Sequence, residues 1–324
     1  MGLLKEALWV SKPRKIQTLA IIIAIAALAF IVPWFGDAYT PLFAAWIITY
    51  SVMSVSWTFF SGKTGYISLA SAAFMGIGMY IQALLGRDLP LPVTMIISAV
   101  VAFGAAFGIG VVTLRLRGVY FTIFTFGLAL FLNKVIRWYE VTYTFTKGRM
   151  VKAYDNDTVF YAMLVILAVV LFGVLILNKS RFGLALDCIG QNEDSAQHIG
   201  VNTTFTKVMA FAVSAAPVGA TGAVMATTIG YVDPEIAFRI LASFFPVLMS
   251  IFGGMYSLYG PILGAVVFYS LQDYLLRTTD KYMIIFGAVM VIVILLMPKG
   301  VFGVVDQILA RRRKGSGGEV TLDV

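Results

Sequence analysis

The stretch NKSRFGLALDCIGQNEDSAQHIGVNTTFT, residues 178–206, interrupts a chain that is otherwise a succession of long apolar runs, and Lys179, Arg181 and Lys207 accompany the break. Its polar centre, 191–200, carries the signals of one short capped helix. Asn192 is placed to act as N-cap, so that Glu193 and Asp194 fall in the first turn, where the helix dipole favours negative charge. Gly200 suits the C′ position that ends such a helix. Ala196 and Ile199 fall on one face with Leu186 and Ile189, which gives a narrow apolar stripe. An amphipathic helix lifted out of a bilayer in mid-chain offers a docking surface; the plain alternative is a polar connector between two spans.

Hydrophobic residues make up 60% of the 324 and charged residues only 12%, against roughly a quarter charged in soluble domains. Ten apolar spans follow one another, at 17–36, 41–60, 67–85, 92–113, 118–138, 158–178, 204–229, 240–256, 259–276 and 282–298. Most approach the roughly 20 residues that a bilayer core requires. The fold class is therefore an all-α polytopic membrane protein of about ten transmembrane helices. The first span is too long, and its flanks are wrong, for a cleaved signal peptide. Residues 1–303 form the membrane domain and 304–324 a cytoplasmic tail whose end, GSGGEVTLDV, is expected to be disordered.

Lys and Arg orient the spans. With the N-terminus inside, the cytoplasmic segments hold 15 of the 24 basic residues and seven of the 16 acidic ones. The cytoplasmic side then carries +8 (15 less 7) and the outer side none (9 less 9), which accounts for the whole net charge of +8. Both termini, and the 178–206 break, fall on the cytoplasmic side. The basic residues lie scattered at span ends, which argues against a nucleic-acid partner, while Arg311 to Lys314 can meet anionic lipid headgroups. A single cysteine, Cys188, excludes internal disulfides and thiolate metal clusters.

Enzymatic motifs fail on inspection. Ser61-Gly62-Lys63-Thr64 has the ending of a phosphate-binding loop, but Trp57 stands where its first glycine belongs and no strand precedes it. Any ATP, with its Mg, must therefore be bound and hydrolysed on a partner chain, and no cofactor is expected on this one. His198 is the only histidine and cannot build a metal or catalytic site alone. The sequons at Asn156 and Asn202 are too common a pattern to carry weight. Asp273, beside Gln272, is an intramembrane acid and so a functional suspect, but it lies near the outer boundary with Arg277 four residues on, which favours a local pair.

Two glycine-bearing junctions break the helical pattern at matching places, SGKTGYISLASAAF (61–74) after the second span and FGGMYSLYGP (252–261) after the eighth. Interrupted helices free backbone groups to line a cavity, which makes Gly62, Thr64, Gly65, Ser68, Ser71, Gly253 and Gly254 candidates for a translocation path. Tight turns and small-residue helix packing are the competing explanation. The longest outer loop, Tyr139 to Asp157, would join Asp233, Pro234 and Glu235 in the face that meets anything delivered from outside, unless it is a bare connector.

Several of these stretches together resemble one family. GYISLASAAFMGIGMY (65–80), LRLRGVYFTIFTFG (114–127), the run 191–224, GYVDPE (230–235), SFFPVLMSIFGGMYSLYGPILGA (243–265) and MPKGVFG (297–303) are similar to the LivM-type permease subunits of ATP-driven importers for branched-chain and other hydrophobic amino acids. The resemblance implies that Gln191, Asn192, Glu193, Asp194, Ala196 and Gly200 belong to a coupling helix seated in a groove of an ATPase subunit. It also implies a second permease subunit (a heterodimer), two ATPase subunits, an extracytoplasmic solute-binding protein and a place in a bacterial or archaeal inner membrane. Two positions depart from it. Gly190 stands where a basic residue is common, and Thr146-Lys147-Gly148 where Thr-Gly-Gly is common. Lys147 near the outer mouth would favour an anionic or carboxylate-bearing solute, and it joins Asp233 and Glu235 as a candidate for the binding-protein face. The implied function is import of branched-chain or related amino acids; the alternatives are urea, an amide, or an aromatic or other carboxylate, or an ion-coupled secondary transporter.

Overall fold

The computed structural model describes residues 39–116, 118–255, 257–279, 281, 284–288 and 291. The first half of this region comprises α1 (Tyr39–Trp57), continued by a π-helical turn (Thr58–Gly62), α2 (Ser71–Leu85), α3 (Leu91–Thr113) and α4 (Val119–Tyr139), continued by a second π-turn (Glu140–Thr144). Then come β1 (Arg149–Met150), α5 (Asn156–Asn178), α6 (Arg181–Gln191), α7 (Glu193–His198) and α8 (Thr203–Ile229). The described chain closes with β2 (Tyr231–Val232), α9 (Pro234–Ala237), α10 (Leu241–Gly253) and α11 (Gly260–Thr278).

Among the described residues, six helical stretches are long and apolar enough to cross a membrane: Tyr39–Gly62, Leu91–Thr113, Val119–Thr144, Asn156–Asn178, Thr203–Ile229 and Pro234–Gly253. The chain is thus an all-α, multi-pass membrane protein. The third expected span, 67–85, is helical only from Ser71, because residues 65–70 run as irregular backbone. The expected spans 17–36 and most of 282–298, and the tail 304–324, lie outside the described residues.

In lipid there is no hydrophobic drive between helices, so association depends on close van der Waals approach at small residues. α8, 27 residues long, is the hub, packed most extensively against α3 and α2. Gly78 of α2 meets Gly219 of α8 so closely that an added Cβ would overlap the Gly219 carbonyl. One helical turn along, Gly222 meets the Met75 carbonyl in the same way, and the other side of Gly219 touches Ala102 and the Ser98 carbonyl of α3. α1 in turn packs against α5, α11 and α10.

The two ends of the bundle gather the segments that charge counting assigns to opposite sides. At one end Lys63 pairs with Asp187 at 2.8 Å, and the Lys207 ammonium reaches the Leu114 carbonyl at 3.4 Å. At the other end β1 and β2 pair antiparallel, Arg149 with Val232 and Met150 with Tyr231, and Arg137 pairs with Glu235. The local pair expected of Asp273 is present, with Arg277 Nε 2.9 Å away, and the Tyr39 hydroxyl donates to the same carboxylate at 2.7 Å.

The segment 139–157 is more than a bare connector. α4 runs on through its π-turn, Phe145 turns the chain in the left-handed region at φ +53°, and β1 is tied down by the ladder and by Val151 N–H donating to the Gly230 carbonyl. The Glu140 side chain, 2% exposed, lies 3.5 Å from Arg149 and accepts from the Tyr80 hydroxyl at 3.3 Å.

Substitution separates packing glycines from idle ones. Gly78→Ala and Gly222→Ala should each destabilise the detergent-solubilised protein by about 1–3 kcal/mol through overpacking, read as a lower thermal unfolding midpoint. Gly104→Ala, where an added Cβ would meet nothing within 4 Å, should leave that midpoint unchanged or raise it.

Candidate functional site

The break folds as a module of two helices: the expected capped helix, α7, and a second one, α6, directly ahead of it. Ser180 caps α6, its hydroxyl accepting from Gly183 N–H at 3.3 Å. The chain then extends at Asn192 (φ −161°, ψ 113°), and Asn192 Oδ1 accepts from Ser195 N–H at 2.9 Å to start α7. An Asn that prefers capping to helix-interior geometry explains the split. At the far end Gly200 (φ +89°) donates to the Gln197 carbonyl and Val201 to the Ala196 carbonyl, the paired bonds of a Schellman cap. Leu186, Ile189 and Ala196 are buried under the module. Ile199, expected on the same apolar stripe, is 71% exposed, because the change of direction at Asn192 turns it away.

Three attachments hold the module to the break between α1 and α2. First, Gly190 lies directly on the Lys63 carbonyl, so that a Cβ there would overlap it. This supplies a reason for the missing basic side chain at 190: the backbones themselves are in contact. Second, Lys63 pairs with Asp187 of α6. Third, Lys207, with a side chain 3% exposed, sits 2.5 Å from Glu193 Oε1, and Tyr66 O–H donates to Glu193 Oε2 at 2.6 Å. The same ammonium lies 3.1 Å from the Tyr66 hydroxyl and 4.5 Å from its ring centroid. Glu193 therefore turns inward to the bundle, its side chain 16% exposed, while Gln191, Asn192, Asp194 and Gly200 face out.

The break itself, 65–70, is framed by side chains. Gly65 takes φ +74°, which a residue with a Cβ rarely adopts. Beyond it, backbone N–H groups donate to hydroxyls: Tyr66 to Thr64, Ser68 to Ser61, Leu69 to Thr125 at 3.0 Å, and Ala70 to Ser68. Trp57 Nε1 donates to the Ser68 carbonyl at 2.8 Å, and Thr122 to that of Ile67. Non-helical backbone at membrane depth survives only with such partners. The second break abuts the first, since a Cβ on Gly62 would stand 3.1 Å from the Met255 carbonyl. Gly253 packs on Gly260, and Gly254 turns the chain at φ +108°. Thr64 is buried, and Ser68 and Ser71 line a cavity of about 20 Å³ with Ser61, Ser214, Trp57 and Phe74.

Residues 40–294 match the family model described as "Branched-chain amino acid transport system / permease component". The chain belongs to this family. It is 27% identical over 296 residues to the high-affinity branched-chain amino acid transport system permease protein LivM of Salmonella typhimurium, covering 79% of this chain and 68% of that one. It is 26% identical over 337 aligned positions to LivM of Escherichia coli K12, covering 92% and 78%. A match at 24% identity over 227 residues, 67% of this chain and 59% of the relative, is to the autoinducer 2 import system permease protein LsrC of Yersinia enterocolitica. No solved structure matches the chain.

For a permease, the spaces inside the bundle are informative. The serine-lined cavity holds about one water, so no solute passes there in this conformation. A much larger cleft of about 490 Å³ lies between α3, α5 and α8, walled by Met95, Ile96, Val165, Val169 and Pro217. Apart from the hydroxyls of Ser56 and Ser214 its lining is apolar and holds no charged group to meet a zwitterion, whose burial there would be costly. The three outer candidates lie around the β1–β2 ladder. The Lys147 carbonyl accepts from the Tyr231 hydroxyl, Asp233 caps α9 through Ile236 N–H at 2.7 Å, and Glu235 pairs with Arg137.

Charge and spacing do not reveal Lys63, Tyr66, Asp187 and Lys207 as site residues; the lysines count there only toward orientation. One signal was available, since a lysine five positions into the long apolar helix α8 requires a counter-charge. Gly190→Arg should lower the unfolding midpoint and the yield of folded permease, because no rotamer relieves a backbone overlap at Cβ. Lys207→Met, which leaves Glu193 without its cation, should cost about 3–5 kcal/mol, read in the same thermal assay.

Proposed function

We propose that this chain is a membrane-spanning subunit of an ATP-driven importer for branched-chain or related small amino acids, with ATP and Mg bound on partner ATPase subunits. The observation that carries the proposal is the rigid attachment of an exposed cytoplasmic module to the Gly62–Ser71 break. A subunit of an ATP-dependent permease needs a surface that an ATPase can push and a mobile wall that the push can reach. Family membership and the LivM relatives support both the mechanism and the solute class.

In this scheme the ten spans place both termini and the module in the cytoplasm of a bacterial or archaeal cell, across its inner membrane. Gln191, Asn192, Asp194 and the exposed Ile199 meet the ATPase, with Ala196 and Gly200 shaping the knob. Glu193 serves the inner attachment instead. Gly62, Thr64, Gly65, Ser68 and Ser71, abutted by Gly253 and Gly254, form the moving wall of the path. Lys147, Asp233 and Glu235 lie on the face offered to an extracytoplasmic binding protein, and a second permease subunit completes the passage.

The test is uptake into proteoliposomes holding the complete complex with its binding protein inside the assay. Labelled leucine should accumulate only with ATP, and Ile199→Asp should cut solute-stimulated ATP hydrolysis by about tenfold, the loss of one well-buried interface anchor of ≥ 1 kcal/mol. Uptake by this chain alone, driven by an ion gradient, would contradict the proposal.

A further inference from the structure

We propose that Lys207, Glu193 and Tyr66 form the link that carries movement of the cytoplasmic module into the α1–α2 break, with Lys207 as its positioning residue. The inference rests on the reading of the module as an ATPase dock and goes beyond it, because it names the route inward. Each member stands on a different element: Glu193 on α7, Lys207 near the start of α8, and Tyr66 in the break. A fourth element joins through the Leu114 carbonyl at the end of α3.

Burial makes these contacts act as a unit. With Lys207 at 3% exposure and Glu193 at 16%, separating the two would strand a charge away from water, so displacement of one draws the other with it. Tyr66 is gripped twice, by its hydroxyl between the carboxylate and the ammonium and by its ring under the ammonium. A second point of attachment lies three residues earlier, where Lys63 touches Gly190 and pairs with Asp187. Two fixed points on the segment 63–66 transmit a tilt as well as a shift.

The segment that receives the movement is the compliant one. α1 and α2 are continuous helices, whereas 65–70 is irregular and begins at a left-handed glycine. Its side-chain frame then spreads the displacement, because its bonds reach Trp57 on α1 and Thr122 and Thr125 on α4, and Ala72 just beyond it binds Ser243 on α10. The serine-lined cavity lies at the same place, with Ser61, Ser68 and Ser71 in its wall. Movement of the module therefore reaches the serine-lined cavity through a short series of polar contacts.

The test uses the assembled complex of this chain, its partner permease and the ATPase subunits. A nitroxide spin label is placed on Ile67→Cys, a half-exposed site in the break, in a Cys188→Ala background. In the otherwise unaltered complex, trapping with ATP and vanadate should change the label's line shape. In Lys207→Met and in Tyr66→Phe the complex should still hydrolyse ATP, the line shape should not respond, and solute moved per ATP should fall about tenfold, a coupling loss of ordinary size. A full spectral response in both variants would overturn the link. Should Lys207→Met fail to assemble, Tyr66→Phe, which removes one hydroxyl, decides alone. An unaltered complex that assembles without any nucleotide response would overturn the docking reading itself, and the link with it.

Discussion

Burying an ammonium group is the constraint around which this structure is arranged. Lys207 near the base of α8 is shielded from water, so it must be met by a full negative charge and by further acceptors. Glu193 supplies the charge from α7, Tyr66 an oxygen and a ring face from the break, and Leu114 a carbonyl from α3. Satisfying one cation thereby fixes the relative position of four chain segments that lie up to 141 residues apart. Such a pair is a weak source of net stability compared with packed hydrocarbon. What it supplies is a single geometry for the module.

The membrane core and the module solve their packing by the same means. α2 and α3 reach α8 through glycines that bring backbone onto backbone, since lipid offers no hydrophobic reward for bulkier contacts. Gly190 repeats the device in the module, where it presses α6 on the Lys63 carbonyl. The ion pair and the glycine contact are complementary. One resists separation by charge, the other leaves no slack for a side chain to take up. Together they tie the module to the irregular backbone at 65–70, whose Ser68 lines the serine-rich cavity.

Much of the architecture is written locally and is therefore legible. Apolar spans announce a multi-pass helical protein, Asn192 and Gly200 cap as their residue types require, and Arg277 finds Asp273 one turn away. What local pattern misses is contact between distant segments. The partner of Lys207 includes a tyrosine 141 positions back, and the absence of a side chain at 190 has its cause at Lys63. The ladder joining Arg149 to Val232 is two residues long, too short to leave a period in the sequence. Ile199 shows the limit of helical periodicity, because one extended residue at Asn192 ends the register on which the apolar stripe depended.

The most direct measurement of the central claim is site-specific photocrosslinking within the assembled complex in its membrane. A photoreactive residue replacing Ile199, exposed on the module, should capture an ATPase subunit, and its yield should change when ATP is bound. The same residue replacing Ile96, exposed on the apolar flank of α3, should not capture that subunit. Capture of the ATPase from position 96 but not from 199, or from neither, would contradict the account.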